Sequence, residues 1–295
     1  MSKRIYKLSP IVKEAIWGGE NIFNIAEKKS SKIAELWEYV NVPQESNCIF
    51  GRDNTLKLSD VIEQSALPIV VKIINAKLDL SLQVHPDKSE VLLVLDASVD
   101  AKVVVGLNTD NIELFKTGST DMVNKYLNYC PVKKGDIVYL PAGVVHAIGG
   151  GILALEVQNP NLTTYRLFDY NRKIDGAVRE LHIDDALKSI KPERHVTLAE
   201  YNCKNNSVLS KVFSCEYYDV YVLNIEKSSV AFINPRLLVS VVCIAGEGKL
   251  GNNKIGFSDS FVCLPSDTPI PVISEDNLTL VFSTLHSDDD EVFLE

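Results

Sequence analysis

LSLQVHPDKSE, residues 80–90, holds Gln83 and His85 in alternation with the apolar Leu82 and Val84. On a strand, alternate side chains project to one side, so the amide and the imidazole share a face. Pro86 and Asp87 break the strand, the parity of side chains resets after the turn, and Glu90 can point back into the same space. A second stretch, GDIVYLPAGVVHAIGG (135–150), supplies another imidazole. Gly135 opens a turn, Ile137–Leu140 read as an apolar strand, and Pro141 and Gly143 make a tight turn that leaves His146 at the start of the next strand. Either half alone reads as a surface turn or a hydrogen-bonded core histidine, since short motifs match often by chance. Together, the spacings Q-x-H-x4-E and G-x5-P-x-G-x2-H gather two imidazoles, a carboxylate and an amide oxygen, a donor set suited to a divalent transition metal such as Zn²⁺.

Working outward, the chain has 295 residues, of which 46% are hydrophobic and 23% charged, the balance of a globular protein with a core of useful size. A formal charge of −9 argues against a nucleic-acid-binding face and against docking on anionic membranes. It leaves room for an anionic small substrate if lysines and arginines cluster locally. Six cysteines (Cys48, Cys130, Cys203, Cys215, Cys243 and Cys263) are spread without a C-x-x-C pair, and MSKRIYKLSPIVKEAIWGGE has no apolar signal region. A cytoplasmic protein with free, mostly buried thiols is the expectation.

From LPIVVKIINAKLDLSLQVH onward, β-branched residues alternate and turn residues interrupt often, the pattern of a strand-rich fold. KLSDVIEQS (57–65) reads as a short helix. Residues 109–129 read as one or two short helices on the edge of a sheet, and RELHIDDALKSI (179–190) as a helix that ends before Pro192. Residues 196–295 return to short β-runs, with a hairpin in AGEGKLGNNKIGFSD. Trp17 and Trp37 read as packing residues.

With QVHPD, KSE, PAGVVHA, LEVQN and TYRLFDYNR, together with IWGGE (16–20) and ELWE (35–38), the chain resembles the type I mannose-6-phosphate isomerases of the cupin superfamily, in their short form. The resemblance covers roughly residues 1–190 and extends in architecture to the second β-region. Gln83 stands where the cupin motif usually has its first histidine, and Leu92 where family members commonly have a tryptophan.

The resemblance implies a mainly β fold of two cupin-type jelly-roll barrels with a few short helices. Residues 1–192 would form the metal-binding catalytic domain, and residues 193–295 a degenerate cupin-like domain without a ligand set. It implies one Zn²⁺ per chain, or another divalent metal, on Gln83, His85, Glu90 and His146. The reaction would interconvert mannose 6-phosphate and fructose 6-phosphate through a cis-enediol. By the same matching, Arg166, Lys72, Lys88 and Glu156 are the catalytic candidates, and Ser81 and Arg172 contact the substrate. Lys72, Lys88 and a metal-bound water all stay open as the base. Arg172 could instead cap or pair with Asp175, and Lys88 could be a solvated turn lysine. Two further readings remain at this level: a metal-dependent cupin acting on another sugar phosphate or with different chemistry, and a sugar-phosphate-binding module without turnover. The oligomeric state and the metal carried in the cell are not encoded in these motifs.

Overall fold

A computed structural model describes residues 4–20, 32–51, 55–109, 111, 113–117, 119–174, 176–192, 194–201, 209–287 and 292–294. The chain divides into two compact units made of interleaved segments. One comprises residues 13–35 and 74–200, the other residues 1–12, 36–73 and 201–295.

The 13–35/74–200 unit carries both metal motifs. Its five-stranded sheet runs in the order Leu127–Pro131, Lys102–Leu107, His146–Ile148, Leu82–Val84, Tyr165–Phe168. A second antiparallel ladder runs through Thr197–Glu200, Asp136–Leu140, Glu90–Ala97 and Ile152–Gln158. Period-two alternation sorts the side chains of these strands. Leu82 and Val84 turn outward into an apolar cluster with Leu114, Phe115, Val123 and Ala186. Leu92, Val94, Val103, Val138, Leu140 and Ile148 form a separate cluster with Trp17. Burying a side chain of this size stabilises the fold by roughly 1.5–3 kcal/mol, so a one-residue slip of the Leu82–Val84 strand would expose two such groups and bury Gln83 among the helices.

The helical expectations mostly hold, with three differences. Helices Glu113–Thr117 and Thr120–Asn124 lie within 109–129, and helix Ile183–Ser189 ends before Pro192. The first two cover the outer face of the five-stranded sheet, not its edge, because Leu114, Phe115 and Val123 need an apolar face to pack against. The tail of that stretch, Leu127–Pro131, is a strand paired with Lys102–Leu107. Residues 57–65 form two 3-10 turns, Leu58–Asp60 and Gln64–Ala66. The Asp60 carboxylate accepts from the Lys57 N–H at 2.9 Å, a cap on the first of these turns.

The other unit is built on long antiparallel strands, among them Tyr218–Ile225, Val239–Leu250, Ser260–Cys263 and Ile270–Leu285, with Ile5–Ser9 paired to Ser260–Cys263. Leu223, Val241, Phe261, Leu280 and Phe282 form its core. The expected hairpin joins Val239–Leu250 to Asn253–Gly256. The five described cysteines are free; Cys243 and Cys263 are buried and the other three are half-buried, while Cys203 lies outside the described residues.

Candidate metal centre

Three strands set one row of side chains. Gln83 lies directly opposite His146 on one side and Arg166 on the other, so all three share the same sheet face. In the second ladder Glu90 is opposite both Leu140 and Gln158, and Glu156 is opposite Leu92. Glu156 and Gln158 therefore project to the same side as Glu90. The turn between the two histidine motifs is closed by Gly143, whose N–H donates to the His85 carbonyl at 2.8 Å. Gly143 has φ +89°, and a Cβ there would fall 2.6 Å from the Lys191 side chain; only glycine meets both conditions without strain.

His85, Glu90 and His146 are each about 1% exposed, and their donor atoms lie within 4.8 Å of one another. His85 Nδ1–H donates to the Thr163 carbonyl at 2.9 Å and His146 Nδ1–H to the Val144 carbonyl at 3.0 Å. These bonds select the tautomer that leaves a lone pair on each Nε2. The Nε2 atoms sit 3.5 Å and 3.1 Å from the Glu90 carboxylate oxygens. The Gln83 amide end lies 3.5 Å from Nε2 of His85 and 3.4 Å from Nε2 of His146. Donors arranged tetrahedrally at about 2.1 Å from one ion are separated by about 3.4 Å, so the four groups fit a single small cation. The two ends of a primary amide are interchangeable by rotation. Turning Gln83 presents its Oε1 to the imidazoles, and the Ser81 hydroxyl, 3.4 Å from that amide, can donate or accept in either orientation.

The electrostatics keep the donors in the protonation states a metal needs. Burial, with Lys88 close by, holds the His85 imidazole well below its ordinary pKa and so neutral. Burial alone would push the Glu90 carboxyl up, but Lys88 and the two imidazoles outweigh it and hold the group well below the usual carboxylate range. Lys88 Nζ is 2.7 Å from Glu90 Oε2 and donates to Gln158 Oε1 at 3.2 Å. It is a buried partner of the ligand, not a solvated turn lysine.

The remaining candidates fall into separate environments. Arg166 donates from Nη1 to the Glu180 carbonyl at 2.8 Å, and its buried Nε has no partner among the described residues. Burial and neighbouring Arg179 lower its pKa, yet a guanidinium stays charged in a protein. Arg172 is committed to Asp169, whose carboxylate and carbonyl it both engages, and to the Asp79 carbonyl at 2.6 Å. Asp175 lies outside the described residues. Arg179, 3.4 Å from the same Asp169 carboxylate, joins Arg166 and Arg172 in a group of three cations gathered about one buried acid. Sequence reasoning missed Asp169, Gln158 and Arg179; three arginines within fourteen residues were the available signal. Lys72 is buried in the other unit, its ammonium 5.2 Å from the Trp37 ring. Leu92 is fully buried on the same side of its strand as Glu90, among apolar neighbours, where an aliphatic side chain fills the space.

No family model matched the chain. It is 33% identical to the mannose-6-phosphate isomerase ManA of Bacillus subtilis, with 82% of this chain and 85% of that one covered. The chain belongs to the mannose-6-phosphate isomerases. A mannose-6-phosphate isomerase of Streptococcus mutans is 34% identical, with 64% of each chain covered. The crystal structure of the mannose 6-phosphate isomerase from Bacillus subtilis superposes with a TM-score of 0.76 at 23% identity, with 95% of this chain and 99% of that one covered, the same cupin fold. The expectation of a mainly β mannose-6-phosphate isomerase is thus met.

Proposed function

We propose that the centre holds one Zn²⁺ on Gln83, His85, Glu90 and His146 and interconverts mannose 6-phosphate and fructose 6-phosphate, an aldose–ketose isomerisation. The observation that carries this is the convergence of two tautomer-locked imidazoles on one buried carboxylate. When bound, the metal supplies Lewis acidity that polarises the sugar carbonyl and orients the C1 and C2 oxygens.

The chain's own residues supply the rest. Arg166, in one row with Gln83, is placed to stabilise negative charge as the enediolate forms. Glu156, on the same side as Glu90, is the acid–base group that carries the proton between C1 and C2. Lys88 acts through Glu90, because an ammonium bonded to a carboxylate and an amide is a poor base. Ser81 supports Gln83 and offers a hydroxyl to the sugar. The cations Arg166, Arg172 and Arg179 favour a phosphorylated over a neutral sugar, with Arg172 shaping that field through Asp169.

On this reading residues 1–192 carry the catalytic residues, and residues 193–295 form a second, non-catalytic cupin-like barrel. A cytoplasmic enzyme that needs neither nucleic acid nor membrane fits the acidic charge and the free thiols.

The test is turnover of mannose 6-phosphate, coupled to detection of fructose 6-phosphate, alongside metal content by mass spectrometry. Activity lost to a chelator and restored by Zn²⁺ is the expected result. Metal-replete protein that binds the sugar phosphate and never turns it over would sink the reading.

A further inference from the structure

The 13–35/74–200 unit has a cavity of about 610 Å³, beside helix Ile183–Ser189 and lined in part by Gly143, Val144 and Val145. None of its lining residues is a metal-ligand candidate or one of the three arginines about Asp169. Its volume lies in the ~300–1,000 Å³ range of small-molecule sites.

The lining is chemically mixed. Val105, Phe115, Leu187 and Ile190 are apolar, Thr109 and Asn128 are uncharged and polar, and Lys191, Arg194 and His195 come from one short segment. No acidic side chain lines the cavity among the described residues, although the protein as a whole has a charge of −9. Arg194 and His195 are exposed, and their side chains make no hydrogen bond or ion pair with described residues. Lys191 differs: its ammonium donates to the Pro86 carbonyl at 3.2 Å and its N–H to the Gly143 carbonyl at 3.0 Å. The lysine thus fixes the cavity wall to the turns that follow His85 and precede His146.

We propose that this cavity binds a small organic carboxylate with an aromatic or branched apolar body, its anionic end toward Arg194 and His195. A hexose phosphate fits this lining less well, since Thr109 and Asn128 are the uncharged polar side chains there and much of its hydroxyl-bearing ring would meet Phe115, Leu187 and Ile190. Each hydroxyl buried without a partner counts against binding. The site is therefore distinct from the isomerase centre and does not depend on the assigned reaction.

The test is a fluorescence titration of the metal-loaded full chain with 1-anilinonaphthalene-8-sulfonate, an amphipathic anion. One saturable site is expected, weakened about tenfold or more in Arg194→Glu and in Leu187→Asp, with folding checked by circular dichroism. Arg194 is exposed, so its variant stays informative if Leu187→Asp unfolds. 4-Phenylbutyrate should displace the probe and neutral 4-phenylbutyramide should not, and saturating mannose 6-phosphate should leave it bound. Unchanged affinity in folded Arg194→Glu, equal displacement by the amide, or displacement by mannose 6-phosphate would each overturn the proposal.

Discussion

Arg166 faces Gln83 directly across two paired strands, and His146 faces Gln83 from the other side. A cation and two metal-ligand candidates therefore stand in a single row fixed by backbone hydrogen bonds, not by loop conformation. Rigid strands hold such groups more closely than loops do.

Arg166→Ala should lower kcat by about 10²–10³ if the guanidinium stabilises charge that develops during the reaction. Metal content should stay at the wild-type level, because the Arg166 side chain bonds to the Glu180 carbonyl and to none of the four donors. Steady-state kinetics with metal analysis on the same preparation checks both halves; parallel loss of metal would mean a structural role instead.

Lys88→Met should weaken metal binding by about 10- to 100-fold, the usual effect of removing a group that orients a ligand. It leaves Glu90 buried with one cation fewer, and breaking a buried pair of this kind costs about 3–5 kcal/mol. Metal affinity by competition with a chromophoric chelator measures the first effect and thermal unfolding the second. Wild-type affinity in the variant would return Lys88 to the list of possible bases.

Glu38, in the other unit, should make stability depend on pH. Burial pushes its carboxyl up to about 8, against pulls from the Ser260 hydroxyl and from Lys7 and a further push from Asp259. The unfolded chain releases that proton near the ordinary value of 4.5, whereas the folded protein keeps it until about pH 8. The folded state thus binds more protons across that window, and stability falls as pH rises from about 4.5 to about 8. A tenfold change in proton affinity corresponds to about 1.4 kcal/mol, so the effect is several kcal/mol in order of magnitude. Glu38→Gln should flatten the dependence in denaturant melts at pH 5 and pH 8. An identical slope in both proteins would exclude Glu38 as its source.

Gly143→Ala should destabilise the protein by about 1–3 kcal/mol, since it combines a positive φ with a Cβ pressed against Lys191. The turn leads into His146, so metal retention should fall with stability. Thermal melts of metal-free and metal-loaded protein separate the two effects; an unchanged melting temperature would show that the turn can relax.

Strand parity made much of the site legible. Alternation placed Gln83 beside His85, the turn at Pro86 returned Glu90 to them, and Pro141 and Gly143 positioned His146. The other partners were hidden because some act through the backbone and some come from distant segments. Thr163 and Val144 act through backbone carbonyls, which carry no residue-type signal. Gln158 reaches Lys88 across seventy residues. Arg172 pairs with Asp169, three residues earlier, a bond that the spacing alone does not announce. In the fold, Leu127–Pro131 lacks β-branched residues, and only pairing with Lys102–Leu107 makes it a strand.

Glutamine at position 83 also fixes the electrical tally of the centre. An imidazole that binds a metal does so in its neutral form, and the amide at 83 is uncharged, so Glu90 is the lone anion of the four donors. A divalent ion seated there would keep a surplus unit of positive charge, and Lys88 adds a second just behind Glu90. Such a centre attracts oxygen anions and resists cations, so an acidic protein would present its substrate with a locally electropositive floor.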